Sequence, residues 1–329
     1  MDELIKKFIP QIEEAQIIAG LAPLKPLSQD IKNIIITGMG GSGIAGKFTQ
    51  VVMDLHGTLP VVTNNCYDIP VWVDKHTLAL VSSYSGNTEE TLQAYDHLKE
   101  KGASVIVITS GGKLLEKARK DNFDVVQLPG EWPAPRACFG YSFVVQLFVL
   151  YRMELLKLEL TKEFGALMDF LIGESKDIPS LAEEISRRLT GKIPVLYSGT
   201  ILEPVLVRFR QQLNENAKTL AFHAILPEMN HNELVGWHGH YKDLAVVILR
   251  SSLYSPRVDK RIDLSKEIII KHVDTMIEIE AKGYRLLQQY FYLVHLVDWI
   301  SYFLAKAKGV DAMAIENINY LKSKLAEYE

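Results

Sequence analysis

Short apolar runs alternate with longer segments of helical periodicity through the first half of the chain. Continuous runs of Val, Ile and Leu separated by helices are typical of a parallel sheet that is covered on both faces. The sequence therefore predicts a doubly wound α/β domain there. Its expected strands are Ile34–Thr37, Pro60–Thr63, Leu78–Ser82, Val105–Thr109 and Asp124–Leu128, and its clearest helices are Ile44–Leu55 and Tyr141–Leu158.

The second half repeats this scheme, with a similar junction after one of its strands. Leu80-Val81-Ser82-Ser83 in the first half parallels Ile248-Leu249-Arg250-Ser251-Ser252 in the second, which suggests a duplicated α/β unit. The second copy lacks the residues that follow Ser83, so we expect no phosphate site in it. The expected elements of this half are strands at Ile193–Gly199, Leu244–Leu249 and Glu267–Val273 and a long helix at Gly283–Lys306.

The length of 329 residues exceeds what one hydrophobic core usually serves. Gly165, Gly173 and Pro179 weaken helical continuity between about Lys157 and Ser180, so a domain boundary is expected there. We predict an N-terminal domain of residues 1–165 and a C-terminal domain of residues 166–329.

Composition and charge narrow the class of protein. A hydrophobic content of 48% with 23% charged residues is typical of a globular protein. The net charge of −4 and the lack of a long basic run do not favour a nucleic-acid partner. Cys66 and Cys138 are too few for a disulfide framework, which favours a cytoplasmic protein. Polar residues interrupt the longest apolar stretches, and the first residues lack a signal-peptide core, so no membrane partner is expected.

Hydroxyl side chains cluster directly after the third expected strand. The strand ends at Ser82, and Ser83-Tyr84-Ser85-Gly86-Asn87-Thr88 leads into a helical segment. That order places Ser83, Ser85 and Thr88 at a helix N-terminus, where unpaired N–H groups and the positive end of the helix dipole favour an anion. An ordinary capped turn would need only one or two hydroxyls. We therefore predict that this segment binds phosphate.

A glycine-rich loop, Gly38-Met39-Gly40-Gly41-Ser42-Gly43, follows the first expected strand. It matches G-x-G-x-x-G, which is typical of dinucleotide binding, although tight turns alone can also require such glycines. Dinucleotide binding further needs an acidic residue at the end of the second strand, where Thr63-Asn64-Asn65 stands instead. Since ligands bind at the carboxyl ends of parallel strands, both loops are expected to hold one small phosphate ester. A dinucleotide oxidoreductase remains an alternative.

Candidate catalytic residues are concentrated in two polar segments of the second half, Asn214–Lys218 and Pro227–Glu233. Polar residues among apolar ones suggest a lined cleft, because burying them unpaired is costly. Glu215 could act as a base on a carbon acid, and His231 could move protons on sugar oxygens. Glu215 could equally be an exposed helix carboxylate, and His231 could be a hydrogen-bonded loop histidine. In the first half, Arg136 follows Pro133-Ala134-Pro135 and could stabilise an oxyanion. It could instead be a surface charge or form a salt bridge at the start of a helix.

Three histidines, His231, His238 and His240, lie near Glu228 and Glu233 in the sequence, as they would in a metal site. Their spacing does not match that of helical or tight-turn ligands. We therefore expect no metal.

Five segments together resemble one known family. GMGGSGIAG, SSYSGNTEET, PRACFGYS, NENAK and PEMNHNELVGW stand in the order and spacing of the archaeal bifunctional phosphoglucose/phosphomannose isomerases. These belong to the phosphoglucose isomerase superfamily and consist of two sugar isomerase (SIS) domains. The resemblance covers nearly the whole chain. It implies two SIS-type domains, each a doubly wound, flavodoxin-like parallel sheet flanked by helices.

The resemblance also implies roles for particular residues. Phosphate binding would fall to the glycine loop and the hydroxyl segment, through Gly41, Ser42, Ser83, Ser85 and Thr88. Glu215 would be the base that moves a proton between C1 and C2, and Arg136 would stabilise the enediolate. His231 would assist ring opening from the neighbouring subunit of a homodimer.

A lysine of the C-terminal helix would also assist ring opening in the family. Lys322 is the best match, and Lys324 is a nearby competitor. Family members often have a proline-containing segment before that helix, where this chain has Val310–Ile315.

The implied activity is the interconversion of glucose 6-phosphate or mannose 6-phosphate with fructose 6-phosphate through a shared cis-enediol, without a metal or nucleotide cofactor. One alternative is an isomerase for glucose 6-phosphate alone. Another is a non-catalytic SIS sensor of a sugar phosphate, which would leave Glu215, Arg136 and His231 unexplained. Sensors of this kind usually carry a DNA-binding region, and no basic helix-turn-helix candidate is evident in the sequence.

Overall fold

The structure is a computed structural model that describes residues 1–27 and 29–328. The chain divides into two units by its internal contacts. Lys6–Ala166 form one, here called the N-terminal unit. The residues from Leu167 onward form the C-terminal unit together with Met1–Ile5, which make up most of helix α1 (Asp2–Lys6). The assignment of residues 1–165 and 166–329 to two functional domains stays a prediction.

The N-terminal unit is built around a five-stranded sheet in the order β2-β1-β3-β4-β5, in which all neighbouring strands are parallel. This is the flavodoxin-like order. The chain adds β2 on one side of β1 and then adds β3, β4 and β5 on the other side, so the topological switch point lies between β1 and β3. In chain order its elements are α2 (Phe8–Leu21), β1 (Asn33–Thr37), α3 (Gly40–His56), β2 (Val61–Asn64), β3 (Thr77–Ser82), α4 (Glu89–Glu100), β4 (Ser104–Thr109), α5 (Gly112–Lys120), β5 (Asp124–Gln127) and α6 (Phe139–Arg152).

Helices cover both faces of this sheet, as the uninterrupted apolar strands predicted. Ile35 and Val81 pack with Tyr95 of α4 and Leu114 of α5 in one buried cluster. On the other face α3 lies so close to β1 that a Cβ at Gly46 would stand 3.0 Å from the Ile36 side chain. Every residue of β3 is buried. The strand ends that carry the two predicted phosphate loops therefore rest on a rigid central part of the sheet.

The C-terminal unit has a four-stranded parallel sheet in the order β7-β6-β8-β9, which repeats the first sheet without its last strand. The division between the units falls inside α7 (Leu160–Glu174). The elements that follow are α8 (Ile178–Leu189), β6 (Ile193–Gly199), α9 (Glu203–Glu215), β7 (Phe222–Leu226), β8 (Leu244–Arg250), α10 (Pro256–Ile269), β9 (Thr275–Glu280), α11 (Leu286–Ala307) and α12 (Glu316–Ala326). The predicted fold class, parallel sheets flanked by helices, is confirmed.

The strand predicted at Glu267–Val273 is wrong. Helix α10 continues to Ile269, and the strand begins only at Thr275. The buried residues of the helix, Ile262, Ser265 and Ile269, are spaced three and four apart, which is the helical period. Strand β7 was not predicted. It lies at the edge of its sheet and only its last residue is buried, so it lacks the continuous apolar run of the central strands.

Candidate active site

The glycine loop and the hydroxyl segment lie side by side at the carboxyl ends of β1 and β3, at the topological switch point of the sheet. The backbone N–H of Tyr84 donates a hydrogen bond to Ser42 Oγ, at 3.2 Å. A Cβ at Gly38 would lie 2.5 Å from the carbonyl oxygen of Ser82, so the close approach of the loops requires glycine there. The position is the one at which open α/β sheets bind ligands.

The hydroxyl segment forms a tight turn in front of α4. Ser83 Oγ donates to Thr88 Oγ1 at 3.1 Å and accepts from the backbone N–H of Gly86 at 3.2 Å. Gly86 has a φ of +66°, and a Cβ there would lie 1.8 Å from the carbonyl oxygen of Gly111. Thr88 occupies the N-cap of α4, yet its side chain makes no capping hydrogen bond. The turn thus presents hydroxyls at the positive end of a helix, which suits a phosphate dianion.

Arg136 lies next to the glycine loop. The short 3₁₀ turn Pro135–Cys138 packs on the start of α3, and a Cβ at Gly41 would stand 3.1 Å from the carbonyl oxygen of Pro135 and 3.3 Å from Arg136 Cα. Arg136 is buried. The structure therefore brings the backbone of Arg136 to the glycine loop, beside the hydroxyl segment that carries the other residues predicted to bind phosphate.

Asn64 and Asn65 support the glycine loop, a role that the sequence did not indicate. Asn65 Nδ2 donates to the carbonyl oxygen of Gly38 at 2.5 Å, and Asn64 Nδ2 donates to Thr37 Oγ1 at 3.3 Å. In a dinucleotide-binding site an acidic residue stands here for the ribose. The sequence indicates this difference only by having Asn64-Asn65, and no carboxylate, at the end of the second strand. In this chain the Asn65 amide instead fixes the backbone of the loop, and the Asn64 amide binds the side chain of the last residue of β1.

The equivalent position in the second sheet is filled by side chains. Tyr254 OH accepts a hydrogen bond from the backbone N–H of Gly199 at 2.9 Å, and its ring would lie 2.7 Å from a Cβ there. Ser251 Oγ donates to Gln289 Oε1 at 2.6 Å, and Gln289 Nε2 donates to Ser252 Oγ at 2.9 Å. These contacts give a physical reason to expect no phosphate site after β6 and β8.

Glu215 is the last residue of α9 and lines a cavity of about 530 Å³ in the C-terminal unit. Its side chain is partly exposed. The walls come from the end of α9, from the segment between α11 and α12 and from the start of α12. The lining residues are Asn214, Glu215, Lys218, Val310, Asp311, Ala314, Ile315, Glu316, Asn317 and Ile318.

A buried ion pair fastens α9 to α11. Arg208 Nε and one terminal nitrogen donate to Asp298 Oδ1 and Oδ2 at 3.0 and 2.5 Å, so the pair is bidentate. Gln212 Nε2 donates to Asp298 Oδ1 at 2.8 Å. Arg208 is only 2% exposed and Asp298 only 5%. Paired geometry of this kind is needed to offset the cost of burying two charges.

The residue after Glu215 is anchored to the same helix. Asn216 is fully buried, and its Nδ2 donates to Ser301 Oγ at 2.9 Å. Ser301 Oγ donates in turn to the carbonyl oxygen of Asp298 at 2.7 Å. Two long-range polar contacts therefore hold the end of α9, while the Glu215 side chain faces the cavity.

His231 and Lys322 do not line this cavity. His231 ends the 3₁₀ turn Glu228–His231 and is exposed. Lys322 and Lys324 are exposed on α12, a helix that buries none of its residues, and Lys324 Nζ pairs with Glu327 at 2.8 Å. The assignments of His231 and of either lysine stay predictions.

Glu233 bonds to a buried tyrosine. The Tyr197 hydroxyl donates to Glu233 Oε1 and accepts from Trp237 Nε1. Burial, reinforced by the Glu233 carboxylate, raises the pKa of Tyr197.

Within residues 1–27 and 29–328 there is no group of three or more His, Cys, Asp and Glu side chains that could hold a metal ion. Across the same residues, none of the helices has the length and apolar character needed to cross a membrane.

Both halves of the chain match known domain families. Residues 29–153 match the family described as SIS domain, and residues 179–325 match the bacterial phospho-glucose isomerase C-terminal SIS domain. The C-terminal domain of glucosamine-fructose-6-phosphate aminotransferase from Francisella tularensis has a similar fold, with a TM-score of 0.75 and 18% identity over 94% of this chain and 97% of that chain. The protein is thus built from two SIS domains.

Two enzymes have sequences similar to that of this chain. A bifunctional phosphoglucose/phosphomannose isomerase from Caldicellulosiruptor bescii is 36% identical over 99% of both chains. A D-glucosamine-6-phosphate 4-epimerase from Sulfolobus acidocaldarius is 36% identical over 62% of this chain and 63% of its own length. The chain belongs to the bifunctional phosphoglucose/phosphomannose isomerase family. The resemblance drawn from its five sequence segments is confirmed.

Proposed function

We propose that this protein is an aldose–ketose isomerase that interconverts glucose 6-phosphate or mannose 6-phosphate with fructose 6-phosphate. The observation that carries the proposal is the junction of the glycine loop with the hydroxyl segment through Ser42 and Tyr84, beside the buried Arg136. It suits a small phosphate ester. We take glucose and mannose esters as the substrates because the relative from Caldicellulosiruptor bescii, which matches this chain over its full length, is named for both.

In the proposed reaction, Gly41, Ser42, Ser83, Ser85 and Thr88 bind the phosphate of the open-chain sugar. The Glu215 carboxylate takes the proton from C2 of the aldose and returns it to C1, while the proton of the 2-hydroxyl passes to O1. Arg136 stabilises the negative charge of the enediolate between these steps. A positioned base typically contributes about 10²–10⁴-fold to the rate, and oxyanion stabilisation contributes a comparable factor.

One base serves both aldoses, because glucose 6-phosphate and mannose 6-phosphate differ only at C2 and give the same cis-enediol once the C2–C3 bond has rotated. We assign ring opening to His231, supplied by the neighbouring subunit of a homodimer, and to Lys322, with Lys324 as the alternative lysine. We place the protein in the cytoplasm. No metal or nucleotide cofactor enters this scheme.

The direct test offers fructose 6-phosphate to the purified protein and measures both aldose products by chromatography. We expect glucose 6-phosphate and mannose 6-phosphate to form together. Formation of glucose 6-phosphate alone would reduce the proposal to a single-specificity isomerase, and no conversion at all would overturn it. Since one relative is named an epimerase, a parallel reaction with glucosamine 6-phosphate tests that second activity.

Removing hydroxyls from the phosphate segment is expected to weaken substrate binding. Hydrogen bonds to charged groups are worth about 1.5–3 kcal/mol, so Ser85→Ala and Thr88→Ala should each raise KM by about tenfold or more. The kcat should change by no more than a few fold, since neither hydroxyl touches C1 or C2 in this scheme. Ser180→Ala, which alters an exposed hydroxyl of the C-terminal unit, is the matched control. An unchanged KM in both loop variants would contradict phosphate binding at this segment.

A further inference from the structure

Lys218 has a backbone conformation that lysine rarely adopts. Its φ is +48°, in the left-handed region, and it lies three residues after the end of α9. Glycine or asparagine is usual at such positions after a helix, and a non-glycine residue there costs on the order of 1 kcal/mol or more. The presence of a lysine therefore suggests that its side chain is needed.

The Lys218 ammonium joins two segments that are far apart in the sequence. Its Nζ donates to the carbonyl oxygen of Glu215 at 2.7 Å, to that of Asp311 at 2.5 Å and to that of Ala314 at 2.8 Å. The last two partners are 93 and 96 residues away. A fourth, longer contact joins Nζ to the carbonyl oxygen of Asn216 at 3.5 Å. An ammonium has three N–H donors, and the three shorter contacts are enough to occupy them.

A second lysine, next to the segment before α12, donates hydrogen bonds to the turn after α9. Lys308, at the end of α11, donates to the carbonyl oxygen of Lys218 at 3.0 Å and to Thr219 Oγ1 at 2.6 Å. Burial lowers the pKa of Lys308. Within residues 310–315, the backbone N–H of Met313 donates to Asp311 Oδ1 at 2.7 Å. The turn after α9 and the segment before α12 thus hold each other in place.

Both of these segments line the Glu215 cavity, one carrying Glu215 and the other forming the wall of Val310, Asp311, Ala314 and Ile315. We propose that Lys218 is a positioning residue of the isomerase reaction. It fixes the Glu215 backbone relative to residues 310–315 and so sets the direction of the carboxylate and the width of the cavity. This role rests on the proposed function of Glu215 as the base.

Lys218 acts through Glu215 and is not assigned a proton transfer, since its ammonium donates to backbone carbonyls on both segments. A carboxylate displaced by about 1 Å from its substrate can lose about 10²-fold in rate. Loss of the ammonium is therefore expected to lower kcat. It should leave KM nearly unchanged, because the phosphate is assigned to loops of the N-terminal unit.

The test compares Lys218→Met, which keeps most of the apolar stem, with Lys260→Met, which alters an exposed lysine of α10. We expect Lys218→Met to lower kcat by about tenfold to a hundredfold with KM within about threefold. Hydrogen–deuterium exchange of residues 309–316 should become faster in this variant and stay unchanged in Lys260→Met. Unchanged kcat accompanied only by a lower melting temperature would mean a merely structural role and overturn the proposal.

A chemical rescue separates the ammonium from the side-chain stem. Lys218→Cys is made in a Cys66→Ser background, because Cys66 is exposed whereas Cys138 is buried. Alkylation with 2-bromoethylamine restores an ammonium at nearly the original distance, and alkylation with iodoacetamide adds a neutral amide. We expect only the first adduct to recover kcat and slow exchange at residues 309–316. Equal recovery with both adducts, or with neither, would overturn the role of the ammonium.

The exchange measurement needs no substrate and so distinguishes this proposal from the proposed function. A wild-type protein without isomerase activity would overturn the function. Unchanged exchange at residues 309–316 in Lys218→Met would overturn the contact whatever the activity of the protein.

Discussion

Replacing Glu215 by glutamine is expected to abolish isomerase turnover, with kcat falling by roughly 10³-fold or more. Glutamine has nearly the same shape as glutamate but cannot take the proton from C2. The change spares the backbone carbonyl of Glu215, which accepts from Lys218 Nζ, so the end of α9 should keep its position. The kcat is measured by the appearance of both aldose products from fructose 6-phosphate, and substrate affinity by calorimetry.

Binding of fructose 6-phosphate to Glu215→Gln should stay within a few fold of the wild-type value, because the phosphate is assigned to the N-terminal unit. Glu203→Gln, at the other end of α9, is the matched control and should retain full turnover. Near-normal turnover in Glu215→Gln would remove Glu215 from the role of base. Loss of binding along with turnover would show instead that Glu215 holds the substrate.

Most of the fold could be predicted from the sequence because its central strands are buried on both faces. The inner residues of β3, from Leu78 to Val81, are all apolar, and such a run has few alternatives to a buried strand once helical segments flank it. The segment Glu267–Val273 was mistaken for a strand for the same reason, since three consecutive isoleucines fit either period over so short a length. Only packing against the sheet decides that Ile269 is buried while Ile268 and Ile270 remain partly exposed.

The phosphate loops could be predicted because their chemistry is local. Glycines and hydroxyls that follow a strand and precede a helix carry the signal within a few residues. The contacts that support the site are different in kind. Asn65 with Gly38, Arg208 with Asp298 and Lys218 with Asp311 each join residues distant in sequence, and one sequence does not reveal which residues meet. In the sequence, Lys218 is distinguished only as part of a polar segment.

Replacing Asp298 by alanine is expected to destabilise the C-terminal unit by about 3–5 kcal/mol, because it leaves the Arg208 guanidinium buried without its carboxylate. Gln212 also loses its acceptor. The measurement is urea unfolding followed by circular dichroism and by tryptophan fluorescence. Trp299 is the next residue along α11 and reports on this part of the unit. Asp169→Ala, an exposed position on α7, is the control, and a surface change of this kind should alter the unfolding free energy by no more than about 0.5 kcal/mol.

A double variant separates the energy of the ion pair from the cost of burying Arg208 without the Asp298 carboxylate. Arg208→Met combined with Asp298→Leu removes both charges and fills the space with apolar atoms, so it should recover much of the stability lost in Asp298→Ala. Equal destabilisation in the single and double variants would show that the stability comes from the ion pair itself. The loss in Asp298→Ala would then not be due to burying the Arg208 charge without Asp298. If Asp298→Ala alone lost less than about 1 kcal/mol, water would have to reach Arg208, and the pair would not fasten α9 to α11. In that case the position of Glu215 would depend on other contacts, among them those of Asn216 and Lys218.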